Sequence, residues 1–407
     1  MCFCYTAVLQ TMKLKKALFR KRKKKESRFK HLMLLLHLWL GLLSSIVILI
    51  VCLTGCIYVF KNQVNDFYNR DKVFVKAEGQ SLPLSAFETE LAKSGRQITS
   101  VVIPKSNSRS LIISSVNKEN GNPQTRFFNP YTGRDLGAGG SLDDFFGTVE
   151  QIHKNLLLGE PGKQIVGVFS LIFILMLITG LVLWWPKRNK KQIKEAFNVK
   201  WRAKFHRLNH DLHSVFGFYS LIFLLFISIT GIYITYPWVK SAILVSLGGS
   251  SVQEQTLQED EDVSDSFAAL MDEMLKKEDE KTELSEEKPI SLDSIQLLTN
   301  RQLAYKGTTV ILLPDEKEPR YRVQKINTDN FLGAMLPDLI EFDKKGALQK
   351  TELFKDKPLH QQFKEISKPL HTGEILGLKS VIFYFIITMI GFSLPITGFI
   401  IWWKKAK

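Results

Sequence analysis

A chain of 407 residues with a net charge of +15 and 45% hydrophobic residues has the length of two or three soluble domains. Its apolar residues instead form four long runs, Leu38–Phe60, Ile165–Trp185, Leu212–Trp238 and Ile375–Trp403. Each is of the ~20-residue length that crosses a hydrocarbon layer of ~30 Å, which sets aside a soluble core and implies a lipid bilayer. The basic charge reports orientation: residues 1–36 carry eleven Lys and Arg against Glu26, residues 187–211 carry nine against Glu195 and Asp211, and Lys404, Lys405 and Lys407 close the chain. These segments are expected in the cytoplasm, the two long intervening segments outside, and no nucleic-acid partner is implied.

In chain order, a basic N-terminus (1–36) leads into a first span (37–60). No small-residue cleavage site follows it, so it reads as an uncleaved anchor. The outer segment 61–162 shows helical spacing over Leu82–Lys93 and strands over Ile98–Ile103, Ser110–Val116 and Thr125–Asn129. A tight turn at Asn129-Pro130-Tyr131-Thr132-Gly133 follows. Ser141–Leu158 reads as a helix capped by Ser141, broken by Gly159-Glu160-Pro161-Gly162 before the second span (163–186). The basic loop 187–211 leads to the third span (212–238). The second outer segment (239–374) opens with an acidic, aromatic-poor linker, 254–288. It then repeats the plan of the first, with a helix at Ser291–Asn300 and strands at Thr308–Leu313, Arg320–Lys325, Leu339–Phe342 and Ala347–Phe354. A fourth span (375–403) and a short tail (404–407) end the chain.

The spans are duplicated. His37 precedes Gly41 by four residues and Thr54-Gly55 by seventeen, and His213 stands in the same relation to Gly217 and Thr230-Gly231. His153 and His371 each precede a Thr-Gly pair, Thr179-Gly180 and Thr397-Gly398, by twenty-six residues, and each of these glycines is followed four residues later by Trp-Trp. The expected architecture is membrane α-helical: four transmembrane helices as a duplicated two-helix unit, with two small α+β domains outside the cytoplasm.

These motifs, with Leu370-His371-Thr372-Gly373-Glu374 and the closing Thr-Gly-x3-Trp-Trp, resemble those of PepSY-associated transmembrane proteins from about His37 to Trp403. Within that family they resemble the ferric-siderophore reductases of the bacterial inner membrane. The resemblance implies PepSY-like periplasmic domains, histidine-ligated haem b, and electron transfer outward to a ferric siderophore.

A single histidine at a membrane boundary reads plainly as an interfacial polar residue. Four at repeat-matched places read differently. His37 and His213 fall at the cytoplasmic face and His153 and His371 at the outer face, a pair of imidazoles per face, as two axially ligated haems require. No Cys-x-x-Cys-His is present, so the haem would not be covalently held. Gly41 and Gly217, one turn beyond a candidate ligand, suit either a flat macrocycle or close helix packing. His210 is the substitute ligand or a second-layer group, and Glu160 and Glu374 could shape the outer site. The Thr-Gly pairs are assigned to packing and the Trp-Trp pairs to interfacial anchoring. Twenty-six residues of straight helix are about 39 Å long, so His153 and His371 should overshoot the bilayer unless their helices tilt or break. With no Gly-rich dinucleotide fingerprint after a strand, the electron donor is expected to be a separate cytoplasmic partner or a quinol. The competing reading is non-enzymatic: a membrane-anchored PepSY module that binds peptide or protease.

Overall fold

The computed structural model describes residues 20–24, 26–140, 142–185, 190–250, 290–315, 318–330 and 333–406. The expected cap Ser141 and the acidic linker 254–288 lie outside them. The chain forms two compact units, one of Met1–Lys61, Asp143–Pro237 and Ser367–Lys407, the other of Asn62–Leu142 and Trp238–Ile366.

The first unit holds four helices long and apolar enough to cross a membrane, Arg28–Tyr58, Gly159–Trp184, Phe205–Thr235 and Leu378–Lys404. The protein is therefore a multi-pass membrane protein. Each span packs on its two sequence neighbours, the fourth returning to the first. Ile48, Phe173, Leu177, Leu224 and Ile387 fill the centre of the bundle. The first and third spans begin well before the apolar runs do. Ser27 Oγ accepts from the amide of Lys30 at 3.1 Å and starts the first helix at Arg28. Hydropathy marks where lipid begins, while Lys and Arg stems continue a helix past that point. His37 and His213 thus stand inside helices, not at their first residues.

Both helices expected to overshoot the membrane are broken. Asp143–Asn155 ends in Leu156 and Leu157, with φ of 55° and 61°, before the second span starts at Gly159. Left-handed leucines cost about 1–2 kcal/mol each. The turn also depends on Gly162, where an added Cβ would lie 1.7 Å from the Asn155 carbonyl oxygen. Leu359–Thr372 ends likewise at Gly373 (φ 78°), followed by a 3₁₀ turn, Glu374–Leu376, and Gly377 (φ 66°).

The second unit is one eight-stranded antiparallel sheet, β1 (Arg96–Ile103), β2 (Leu111–Asn117), β3 (Pro123–Phe128), β4 (Asp135–Ala138), β5 (Thr309–Leu312), β6 (Tyr321–Asn327), β7 (Leu336–Phe342) and β8 (Leu348–Glu352), in the order β4-β3-β2-β1-β5-β6-β7-β8. The two modules read from the sequence are therefore halves of one sheet. They join where β1 pairs with β5, Val101 opposite Ile311 and Val102 opposite Val310. Helices Leu84–Lys93 and Leu292–Gln302 close a shared core with Phe87, Ile98, Val101, Ile113, Ile295, Ile311, Val323, Ile340 and Phe342. Asp293 of one helix accepts from the first amides of the other, Leu84 at 2.5 Å and Ser85 at 3.2 Å, and so caps it. Joining the halves removes two strand edges that would otherwise stand open. Tyr131, in the turn after β3, donates its hydroxyl to the Asn107 carbonyl at 2.7 Å and is structural.

Candidate functional site

The four repeat-matched histidines come together in two pairs, each across a diagonal of the bundle. The rings of His37 and His213 have centres 6.2 Å apart, and those of His153 and His371 6.1 Å apart. An imidazole nitrogen binds a metal ion at about 2 Å and sits about 1 Å in front of its ring centre, so two imidazoles facing one ion from opposite sides have centres about 6 Å apart. Among the described residues no group of three or more His, Cys, Asp and Glu side chains could hold a metal ion. Among the described residues each pair thus stands as two imidazoles alone.

The Thr-Gly pairs, assigned from the sequence to packing, hold these histidines. His37 Nδ1 meets Thr179 Oγ1 at 3.0 Å and His213 Nδ1 meets Thr397 Oγ1 at 2.9 Å. His153 Nδ1 meets Thr54 Oγ1 at 3.1 Å, and His371 Nδ1 meets Thr230 Oγ1 at 3.2 Å. Each hydroxyl donates its own proton to a carbonyl one turn back in its helix, for instance Thr54 to Ile50 at 2.8 Å and Thr397 to Ser393 at 2.9 Å. The threonine can therefore only accept from the histidine, which puts the proton on Nδ1 and leaves the Nε2 lone pair free. The glycine after each threonine makes room for the ring. An added Cβ at Gly180, Gly398, Gly55 or Gly231 would lie 3.3, 3.2, 3.4 or 2.9 Å from Cε1 of its histidine. The arrangement is reciprocal: spans one and two exchange histidine and Thr-Gly with each other, and so do spans three and four. The sequence carried this signal in its fixed spacings, but not which helix each motif served.

His37 and His213 line a cavity of about 600 Å³ at the end of the bundle that carries the basic segments. Gly41 and Gly217 line it too. A Cβ on Gly41 would lie 3.0 Å from Met176 Cε, the free end of a flexible side chain. Trp184 and Trp402 stand in the wall, Trp184 stacked on Phe218 with centres 3.7 Å apart and its indole N–H donated to the Ala196 carbonyl at 3.1 Å. Trp185 and Trp403 are exposed and suit the anchoring role expected of both members of each pair. Arg20, Lys30, Arg207 and His210 also line the cavity, with Glu195 and Asp211 among them. His210 is exposed, and its Nδ1 lies 3.9 Å from Asp211 Oδ1.

At the other end His153 and His371 are held a second time. Nδ1 of His153 lies 3.0 Å from the Val51 carbonyl, and Nδ1 of His371 lies 2.9 Å from the Ile227 carbonyl. Burial, with His371 beside it, pushes the His153 imidazole down to about 4, and burial lowers His371. Both are neutral at physiological pH, the form that binds a metal. Glu160 is exposed and pairs with Lys163 at 3.3 Å and Gln164 at 2.9 Å. Glu374 accepts from Thr372 at 3.1 Å, just beyond His371. Val51 and Thr54 lie fourteen and seventeen residues beyond His37 on one helix, which sets the two pairs about 20–25 Å apart along the bundle.

No curated protein matches the chain. Residues 34–405 match the PepSY-associated TM region, nearly the whole of the 407 residues, and the chain belongs to that family.

Proposed function

We propose that the protein is a di-haem b electron-transfer protein of the bacterial inner membrane, a ferric-siderophore reductase that serves iron uptake. The observation that carries this reading is the pair of imidazoles at each end of the bundle, spaced 6.2 and 6.1 Å between centres with Nε2 left free. Two imidazoles facing one site suit a metal whose remaining ligands come from a macrocycle, as those of haem iron do. The donor sets fit. The cavity around His37 and His213 is largely apolar, and of the cations on its rim Lys30 suits the carboxylates of such a group, while Arg20 and Arg207 already pair with Glu26 and Asp211.

When bound, haem iron accepts and gives up one electron at a time. The chain's own part is to hold each imidazole in the Nδ1–H form, keep water from the bundle core, and fix the two sites at opposite ends. The basic segments support a cytoplasmic location for the His37–His213 end. With haem held at the two pairs, one electron from a cytoplasmic carrier or a quinol would be taken up at that end and given up at the His153–His371 end. It converts one chelated ferric ion to ferrous, which oxygen ligands hold less tightly.

Protein purified in detergent from haem-replete cells should show a reducible b-type spectrum with about two haems per chain, extractable by acid acetone because no Cys-x-x-Cys-His is present. A colourless preparation would sink the reading and favour a membrane-anchored sheet domain that binds peptide.

A further inference from the structure

The two halves of the repeat hold their basic-end histidines differently. His37 lies in an uninterrupted α-helix. His213 lies in a π-turn, Leu212–Phe216, between α-helical Phe205–Asp211 and Gly217–Thr235. A π-turn is a strained insertion that lasts only where contacts outside the helix favour it. Those contacts are present. One turn before His213, Asn209 is 5% exposed and its side-chain amide donates at 3.0 Å to the main-chain oxygen of Thr397. Thr397 is the residue whose hydroxyl meets His213. Only the amide NH₂ can serve a carbonyl, so the orientation of Asn209 is fixed. Asp211, 2% exposed, forms an ion pair with Arg207 Nε at 2.8 Å and accepts from the amide of Lys200 at 3.2 Å. Ser214 donates its hydroxyl to the His210 carbonyl at 2.8 Å, within the altered turn. Four residues before His37 stands Met33, which has no such donor.

We infer that Asn209 is a positioning residue for the basic-end ligand pair. It ties the third span to the fourth beside the π-turn and so sets where the His213 ring stands against His37. The inference rests on the haem ligation proposed above. If the π-turn relaxes to α-helix, the register before it changes by one residue, a rotation of about 100°. Such a rotation carries His213 off its threonine. Asn209, 5% exposed, would then keep a buried amide donor without its partner.

The test uses the full chain carrying His371→Ala, so that only the basic-end centre absorbs. Adding Asn209→Leu should raise the high-spin share of the oxidised spectrum about threefold or more, at the expense of the low-spin bis-imidazole signal. Asn209→Gln, which keeps an NH₂ donor, should restore most of that signal, and Met33→Leu should leave it alone. Should Asn209→Leu fail to accumulate, Asn209→Asp, of the same shape but without the donor, is read in its place by the same criterion. A haem-loaded variant without the donor that keeps the parent's spectrum and midpoint potential overturns the inference and leaves the proposed function standing. A wild-type chain without haem overturns the proposed function itself.

Discussion

The two ends of the helical bundle bring a pair of histidines to one spacing by different routes. At the basic end the histidines sit within long spanning helices, and a cavity of about 600 Å³ surrounds them. At the other end they sit on short helices, Asp143–Asn155 and Leu359–Thr372, that break before their spans begin. Yet the ring separations differ by only 0.1 Å, 6.2 against 6.1 Å. What the ends share is the partner, a Thr-Gly pair in the last turns of a neighbouring span. The Thr-Gly receiver is common to both ends, while the helix that carries the histidine differs.

If that is so, removing a ligand should cost one end and spare the other, and this is the largest expected effect. His213→Ala should abolish the basic-end centre, since alanine offers no lone pair. The far centre should keep its spectrum, because its ligands and threonines belong to other positions. An external reductant should still reduce that centre, while electrons from the cytoplasmic side should no longer reach it. His371→Ala should do the reverse. Loss of all haem from either variant, in protein that remains folded, would replace the two-site arrangement with one shared site.

A smaller effect separates the two ligands of the far centre. Gly231 is the tightest of the four cradles, with an added Cβ 2.9 Å from His371 Cε1, whereas at Gly55 the distance to His153 Cε1 is 3.4 Å. The first is closer than real side chains come, and the second is ordinary contact. Gly231→Ala should force the His371 ring aside, with an overpacking cost of about 1–3 kcal/mol. Electron paramagnetic resonance of the far centre should then shift, while Gly55→Ala should leave it nearly unchanged. Equal responses would mean that the glycines serve helix packing rather than the rings.

How much of this was legible in the sequence follows from the range of each interaction. The spans, the repeat and all four histidines could be read, because lipid imposes a continuous apolar length and duplication fixes spacing. The breaks near Gly159 and Gly373 were foreseeable, one from its Gly-Glu-Pro-Gly signal and both from the excess length. The tie from Thr54 to His153 was not, because it depends on which antiparallel helix packs where. The π-turn at Leu212–Phe216 has no proline or glycine inside it to announce it. The joining of two modules into one sheet rests on pairs such as Val102 with Val310, far apart in the chain and indistinguishable from any other apolar strand pairing. β4 was missed because Asp-Leu-Gly-Ala has little strand propensity, and it is held by pairing with β3 and by the 2.7 Å ion pair between Arg126 and Asp135.

The smallest expected effect tests the second hydrogen bond that distinguishes the ends. At the far end each histidine has two acceptors for one N–H, a threonine hydroxyl and a carbonyl at 3.0 or 2.9 Å. At the basic end the ring of His37 meets Thr179 and that of His213 meets Thr397. The threonine is there the principal acceptor, at 3.0 and 2.9 Å. Valine has the shape of threonine and no hydroxyl, so Thr→Val removes the acceptor with little change in packing. Thr54→Val should leave His153 in the Nδ1–H form, held by Val51, and change haem affinity less than tenfold. Thr179→Val should free the His37 ring to turn and to take the other tautomer, with a loss toward the 10–100-fold typical of an outer-shell partner. Haem dissociation rates, measured separately for the two centres by transfer to an apo-protein acceptor, decide the matter. A Thr54→Val loss as large as that of Thr179→Val would show that the carbonyls contribute nothing to orienting the ring, and that the two ends are held alike.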